Sequence, residues 1–126
     1  MTRIELFRHN DEYLTFEAGD VVFREGDPGD RMFTVIEGEI DILIGDHVID
    51  TTTAGGLLGE MAVIDTQPRS ATAIARTAAK LVPIDQRRFL FLVQQTPFFA
   101  IQVMQMMAAR HRRLMALSSE KALAQD

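Results

Sequence analysis

The stretch that decides the fold covers residues 55–75 and reads Gly-Gly-Leu-Leu-Gly-Glu-Met-Ala-Val-Ile-Asp-Thr-Gln-Pro-Arg-Ser-Ala-Thr-Ala-Ile-Ala. It contains two polar pairs, Gly59-Glu60 and Arg69-Ser70, with the arginine nine residues after the glutamate. A short apolar segment and a proline-containing turn separate the pairs, and strand-like sequence follows. This layout predicts a short helix, a turn and a strand that bring two polar pairs together.

The residue types in these pairs suit a small phosphorylated molecule. A helix begun at Gly59-Glu60 leaves its first backbone N–H groups without intrahelical partners, and its dipole favours negative charge there. Gly59 allows close approach to the backbone, and Glu60 can only accept hydrogen bonds, which suits sugar hydroxyls. Arg69 is a forked cation that can pair with a phosphate in two places, and Ser70 adds a hydroxyl beside it.

The glycines divide the chain into two parts. All eight lie between Gly19 and Gly59, which predicts a turn-rich front half and long helices behind it, because glycine favours turns and weakens helices. Turn-bounded apolar segments predict strands over 14–16, 21–23, 32–36, 40–44 with 48–49, 71–75 and 80–84, with a loop over 51–56. Strands at this spacing indicate an antiparallel sandwich or jelly roll.

Two helices are predicted after the strands. Asp85 is a good N-cap for a helix over about 86–94. Thr96 can cap a second helix with Pro97 at its first position, where a missing N–H costs nothing. This second helix is expected to end near Leu117, and the small, polar tail 118–126 is expected to fray.

The second predicted helix carries an apolar stripe at steps of three and four. Its members are Ile101, Met104, Ala108, His111 and Met115. We expect the stripe to pack on the domain and on a second copy of the chain, with Met104, Met106, Met107 and Met115 forming core and dimer seam. The arginines Arg110, Arg112 and Arg113 are expected to complement the helix C-terminus. Residues 1–13 are mixed and fit either a short helix or an extended arm.

Composition excludes several classes of protein. A length of 126 residues with 47% apolar residues fits a single soluble domain. The net charge of −5 argues against direct DNA binding. The absence of cysteine and of an apolar signal segment favours a cytoplasmic protein. Residues 89–109 lack charge, but their glutamines and Pro97 favour two soluble helices over a membrane span.

An enzymatic metal site is also disfavoured. A cupin-like enzyme would need clustered histidine and carboxylate ligands. The histidines are His9, His47 and His111, with no His-x-His pair. We therefore expect no catalytic residues, no metal and no cofactor.

The quoted stretch resembles the phosphate-binding cassette of cyclic nucleotide-binding domains, found in the bacterial catabolite-activator family, in cyclic-nucleotide-gated channels and in kinase regulatory subunits. The runs Phe16-Glu17-Ala18-Gly19-Asp20, Glu25-Gly26-Asp27 and Glu37-Gly38-Glu39 are similar to the strand and turn pattern of that family. The resemblance covers about residues 14–117. It implies a mainly β fold, an antiparallel β-roll with flanking helices and a long C-terminal helix.

Within that family, the glutamate at the position of Glu60 takes the ribose 2′-hydroxyl and the arginine at the position of Arg69 takes the cyclic phosphate. The resemblance also implies phosphate-lining groups at Gly59, Met61, Ala62 and Ser70. The last helix folds over the base, which places Arg110, His111 or Leu114 near the purine. Leu58 stands where the family often has phenylalanine, a change expected to affect packing more than phosphate contact.

The resemblance implies one domain over 1–126: a β-roll over 14–96 with the cassette over 55–75, a lid or dimer helix over 97–117, and a tail over 118–126. We expect a stand-alone, non-catalytic sensor of cAMP or cGMP, because neither a helix-turn-helix, a channel pore nor a kinase-docking segment is recognisable. Its signal would leave through the helix, a homodimer or an effector protein. The alternative is a dimerisation or scaffolding module that keeps the fold with little nucleotide affinity.

Overall fold

The computed structural model describes residues 12–124, with side chains to Ser119. Eight strands and three helices lie in this range. The strands are β1 (Leu14–Phe16), β2 (Val21–Phe23), β3 (Arg31–Glu37), β4 (Ile40–Ile44), β5 (His47–Thr52), β6 (Leu57–Leu58), β7 (Thr72–Ala75) and β8 (Ala79–Asp85). The helices are α1 (Met61–Ile64), α2 (Gln86–Gln95) and α3 (Phe98–Ala124).

The strands form two four-stranded antiparallel sheets. The first has the order β1-β8-β3-β6 and the second the order β2-β7-β4-β5. Strands that are neighbours in sequence often lie in different sheets, so the chain crosses repeatedly between the layers. The predicted antiparallel β-roll with C-terminal helices is confirmed.

Two apolar clusters hold these layers together. One lies between the sheets and includes Phe33, Ile42 and Leu58. The other lies between the first sheet and the helices and includes Met32 and Phe99. The first sheet is therefore covered on both faces, which explains why β3 and β8 are nearly continuous apolar runs instead of alternating ones.

Most strand predictions agree with the structure, and two details around β5 were wrong. The predicted loop over 51–56 is shorter, since β5 continues to Thr52. The two-residue strand β6, in which Leu57 and Leu58 are both buried, was not predicted. Its sequence is too short to show a period, and only the pairing of Leu57 and Leu58 with β3 defines it.

The two-helix prediction is confirmed, with a break at Thr96 and Pro97. Asp85 caps α2 by accepting a hydrogen bond from the backbone N–H of Arg88 at 2.8 Å. The second helix starts one residue later than predicted, at Phe98. It continues to Ala124 and so includes most of the tail that we expected to fray, because no glycine or proline interrupts residues 98–124. The prediction for residues 1–11 lies outside the described residues.

The face of α3 that packs on the domain differs from the predicted one. The residues of the stripe are exposed, with Met104 at 54% and Met115 at 50%. The inward face carries Phe99 and Val103, which are fully buried in the cluster between the first sheet and the helices. Apolar residues occur on several sides of α3, so periodicity alone did not select the buried side.

Candidate functional site

A cavity of about 420 Å³ opens between the second sheet, the segment over 59–71 and α3. Its lining contains all nine residues that the sequence singled out. These are Gly59, Glu60, Met61, Ala62, Arg69 and Ser70 from the cassette, and Arg110, His111 and Leu114 from α3. Apolar side chains of Ile42, Ile44 and Ile49 form the wall contributed by β4 and β5. The cavity therefore has a polar end at the cassette and an apolar wall.

Arg69 occupies the cassette end of the cavity. The residue is only 7% exposed, and its guanidinium lies 4.2 Å from the centroid of the Phe23 ring. One side-chain hydrogen bond joins it to the described residues, from Nη1 to the carbonyl oxygen of Gly59 at 3.2 Å. No fully buried side-chain nitrogen or oxygen in the described part of the chain lacks a partner. The Arg69 nitrogens without a partner are therefore not fully buried, and the residue lines the cavity.

The backbone of Arg69 is held by the turn between β2 and β3. Its N–H donates to the carbonyl oxygen of Asp27 at 2.8 Å, and its own carbonyl accepts from the N–H of Gly26 at 2.8 Å. These contacts are independent of the side chain. This turn, which the sequence marked only by its similarity to the family's turn pattern, therefore also fixes where the Arg69 side chain starts.

Two glycines leave room for the Arg69 side chain. A Cβ on Gly59 would lie 2.6 Å from Nη1 of Arg69 and 3.2 Å from the Phe23 ring, and Gly59 has a positive φ of 75°. A Cβ on Gly29 would collide with Nε of Arg69. Any larger residue at either position would displace the guanidinium.

Arg110 occupies the α3 end and is fully hydrogen-bonded. Its Nη1 donates to Oε1 of Glu60 at 2.9 Å and to Oε2 at 3.3 Å. Its Nε donates to Oδ2 of Asp50 at 2.9 Å, and its Nη2 donates to the Thr52 hydroxyl at 3.2 Å and the Leu57 carbonyl at 2.8 Å. Arg113 donates to the same oxygen of Asp50 at 2.9 Å. These bonds join α3 to β5, β6 and the cassette.

The electrostatic environments of the two arginines are opposite. Burial lowers the pKa of the Arg69 guanidinium, and nearby Asp30 offsets part of that effect. Burial alone would also lower the pKa of Arg110, but Glu60 and Asp50 outweigh it and raise that pKa. Burial alone would raise the pKa of Asp50, but hydrogen bonds from Arg113 and Arg110 hold it below its usual value.

The structure places the nine residues singled out by sequence around one cavity, but sequence reasoning missed several of their partners. The prediction that Arg110 and Arg113 complement the helix C-terminus was wrong, since both pair with carboxylates of the roll. Phe23, Gly29 and Asp50 were not singled out. Phe23 and Asp50 sit in strands as ordinary apolar and polar positions, and no local pattern marks them. Glycine at position 29 was visible, but only as part of a turn.

Comparison with known proteins gives a family match for most of the roll. Residues 13–96, two thirds of the chain, match the family described as "Cyclic nucleotide-binding domain". The chain belongs to this family. The matched range contains the whole cassette and ends before α3, so the family assignment of this cyclic nucleotide-binding domain rests on its β-roll and α2.

Relatives of this cyclic nucleotide-binding domain include much longer proteins. A cAMP-dependent protein kinase regulatory subunit of Dictyostelium discoideum is 30% identical over 108 residues, covering 71% of this chain and 33% of that protein. A cyclic nucleotide-gated potassium channel of Mesorhizobium japonicum is 40% identical over 86 residues, covering 68% of this chain and 24% of the channel. The chain thus spans a third or less of the length of these relatives.

A similar solved structure is described as "Sp-2Cl-cAMPS bound to PKAR CBD2". It superposes with a TM-score of 0.72 at 27% identity, over 84% of this chain and 70% of that one. Within residues 12–124, no helix is long and apolar enough to cross a membrane. Among the side chains that the structure describes, from Glu12 to Ser119, no group of three or more histidine, aspartate or glutamate residues could hold a metal ion.

Proposed function

We propose that the chain is a non-catalytic sensor that binds cAMP or cGMP in the cavity between the cassette and α3. One observation carries the proposal: Arg69 is nearly buried, makes a single side-chain hydrogen bond within the described residues, and faces the cavity. A buried cation that no carboxylate contacts directly is costly, and Asp30 offsets only part of that cost. An anion in the cavity would remove that cost, and a cyclic phosphate carries the matching single negative charge.

The other cassette groups fit the rest of a phosphate site. Ser70 contributes a hydroxyl beside Arg69, and Gly59, Met61 and Ala62 line the same cavity. Charge-assisted hydrogen bonds of this kind contribute about 1.5–3 kcal/mol each. Arg69 with two or three further donors is therefore sufficient for micromolar affinity, which requires about 8 kcal/mol, when base stacking is included.

The ribose and base would extend from the phosphate toward α3. Glu60 is 6% exposed and offers two carboxylate oxygens, which suits a ribose 2′-hydroxyl. Beyond it, the isoleucines of β4 and β5 face Leu114 and His111 of α3 across the cavity. A purine would bury its faces between these side chains. Because neither wall presents a pattern specific to an exocyclic amine or carbonyl, both cAMP and cGMP fit the proposal.

The proposed output is movement of α3. The helix supplies part of the cavity wall and is tied to the roll through Arg110 and Arg113. A nucleotide that contacts both the cassette and α3 would bind more tightly when the helix is closed. The ligand would then shift the helix equilibrium by its differential affinity for the two positions, and an effector protein or a second copy would respond to the change.

Isothermal titration of the purified chain with cAMP and, separately, with cGMP tests this function. We expect a single site with a dissociation constant in the micromolar range for at least one nucleotide. The same nucleotide at 100 times that constant should stabilise the fold by about 2.7 kcal/mol. No heat and no stabilisation with either nucleotide at millimolar concentration would overturn the proposal.

A second function is favoured by the exposed face of α3. Ile101, Met104 and Met115 are between 43% and 54% exposed, and such a row of apolar side chains is typical of a helix seam between subunits. The alternative is therefore a homodimerisation or scaffolding module with little nucleotide affinity. Sedimentation equilibrium that finds a dimer, together with a failed titration, would favour this alternative.

A further inference from the structure

Asp50 is a buried carboxylate next to the cavity that the proposed roles do not use. It lies on β5, and its side chain is 8% exposed. Its Oδ2 accepts hydrogen bonds from Nε of Arg110 and from Nη2 of Arg113, both at 2.9 Å. The two arginines are three residues apart and so lie on neighbouring turns of one face of α3. A single carboxylate oxygen therefore receives two charged donors from the same helix.

Asp50 holds one end of the Arg110 guanidinium while Glu60 holds another. Because the guanidinium is planar, fixing Nε also fixes the direction in which Nη1 points. Nη1 is the atom that donates to both oxygens of Glu60. Asp50 and Glu60 are thus coupled through one rigid group, although they belong to different elements of the roll.

Glu60 keeps accepting capacity in this arrangement. An ionised carboxylate offers about four acceptor positions, and Arg110 uses one on each oxygen. A ribose hydroxyl can therefore bind Glu60 without expelling Arg110. The orientation of the Glu60 carboxylate, and hence its fit to the hydroxyl, depends on where Nη1 of Arg110 lies.

We propose that Asp50 is a positioning residue for ribose recognition: it orients Arg110, and Arg110 orients the Glu60 carboxylate toward the ligand. This inference rests on the proposed function. It predicts that the Asp50 carboxylate affects affinity chiefly through the 2′-hydroxyl, although Asp50 itself lies outside the cavity lining. Arg113, whose side chain is about half-exposed, acts through the second charged hydrogen bond that it donates to Asp50.

The test compares cAMP with 2′-deoxy cAMP by isothermal titration on wild-type and Asp50→Asn protein. The wild type is expected to prefer cAMP, because only cAMP can donate to Glu60. In Asp50→Asn, the affinity for cAMP should fall by about tenfold, consistent with a weakened hydrogen bond to a charged group. The affinity for the 2′-deoxy nucleotide should change by less than about twofold, so the preference nearly disappears.

Two further variants keep the test decisive. Arg113→Gln changes an exposed side chain and should reduce the cAMP preference in the same direction but by only about twofold to threefold. Asp41→Asn is the matched control, since Asp41 is a partly buried carboxylate of the same sheet that accepts from Thr51 at 2.9 Å. It should leave both affinities unchanged. Thermal unfolding of each variant verifies that it is folded.

The outcomes separate the two proposals. Suppose that the folded Asp50 and Arg113 variants lose equal affinity for cAMP and for 2′-deoxy cAMP. Asp50 would then only support the fold, and its positioning role would be overturned. Equal affinity of the wild type for cAMP and 2′-deoxy cAMP would also overturn the positioning role of Asp50, while leaving the proposal of nucleotide binding intact. A wild type that binds neither cAMP nor cGMP would instead overturn the proposed function.

Discussion

Arg69 and Arg110 lie at opposite ends of one cavity, and their hydrogen bonding is opposite too. Arg69 makes one side-chain hydrogen bond, to a backbone carbonyl. Arg110 uses all three guanidinium nitrogens and contacts two carboxylates, a hydroxyl and a carbonyl. Both side chains are largely removed from solvent. Only Arg69 retains donors that can bind an external anion.

This difference assigns different tasks to the same residue type. A guanidinium whose donors are satisfied inside the protein stabilises tertiary contacts, here the attachment of α3 to the roll. The Arg69 guanidinium lies against Phe23 and close to Gly29, and its backbone is held by the turn; it is the group that we propose pairs with the ligand. Preorganised, partly unsatisfied groups of this kind lower the cost of ordering a site on binding. Three substitutions test the contrast.

The largest effect is expected for Arg69→Ala. Truncating one partner of a desolvated charge pair costs about 2–5 kcal/mol of binding free energy, which is a loss of roughly thirtyfold to several thousandfold in affinity for cAMP or cGMP. The stability of the unliganded fold should change by less than about 1 kcal/mol, because the loss of contact with Phe23 is offset by removal of a poorly paired cation.

Arg76→Ala is the control for this prediction. It removes the same unit charge from an exposed arginine that lies near Glu39 and Asp41. Isothermal titration and urea unfolding should show no change in affinity and little in stability. Full nucleotide affinity in Arg69→Ala would place the phosphate elsewhere.

Arg110→Ala should reduce stability more than Arg69→Ala does, in addition to the loss of cAMP affinity that follows from its contact with Glu60. It leaves Glu60 and Asp50 buried with fewer partners, and breaking a buried pair in this way costs about 3 kcal/mol. Arg113→Gln, which removes one half-exposed contact to Asp50, should cost less than about 1 kcal/mol. Urea denaturation of both variants without nucleotide measures the difference. Equal stabilities would contradict the structural role assigned to Arg110.

The smallest of the three effects is expected for Gly59→Ala. Gly19→Ala is its control. Both glycines have positive φ, so alanine should cost each variant about 1–2 kcal/mol of stability. A Cβ at Gly19 meets no atom within 4 Å, whereas one at Gly59 displaces Nη1 of Arg69. Only Gly59→Ala should therefore also weaken nucleotide binding, by about tenfold. A similar loss of affinity in both variants would mean that displacement of the Arg69 guanidinium is not what weakens nucleotide binding.

Much of the site could be predicted because its residues are close in sequence. Glu60 and Arg69 are connected by one short helix and one turn, so their proximity follows from local structure. The partners of Arg110 could not be predicted in the same way. They lie 50 to 60 residues away, and their contacts depend on how β5 and α3 are placed by the packing of the whole roll.

The amino-acid sequence by itself determined the class of fold and the content of the cassette. Glycine positions, turn chemistry and apolar periodicity act over a few residues, and they sufficed for most of the strands, the helix break at Thr96-Pro97 and the two polar pairs. Only the tertiary structure decided which face of α3 is buried, which arginine makes a single side-chain hydrogen bond and that Asp50 pairs with Arg110. Those properties depend on burial and on long-range pairing. The N–H groups of a guanidinium are hydrogen-bonded within the protein or left unpaired according to the groups that the fold places around them.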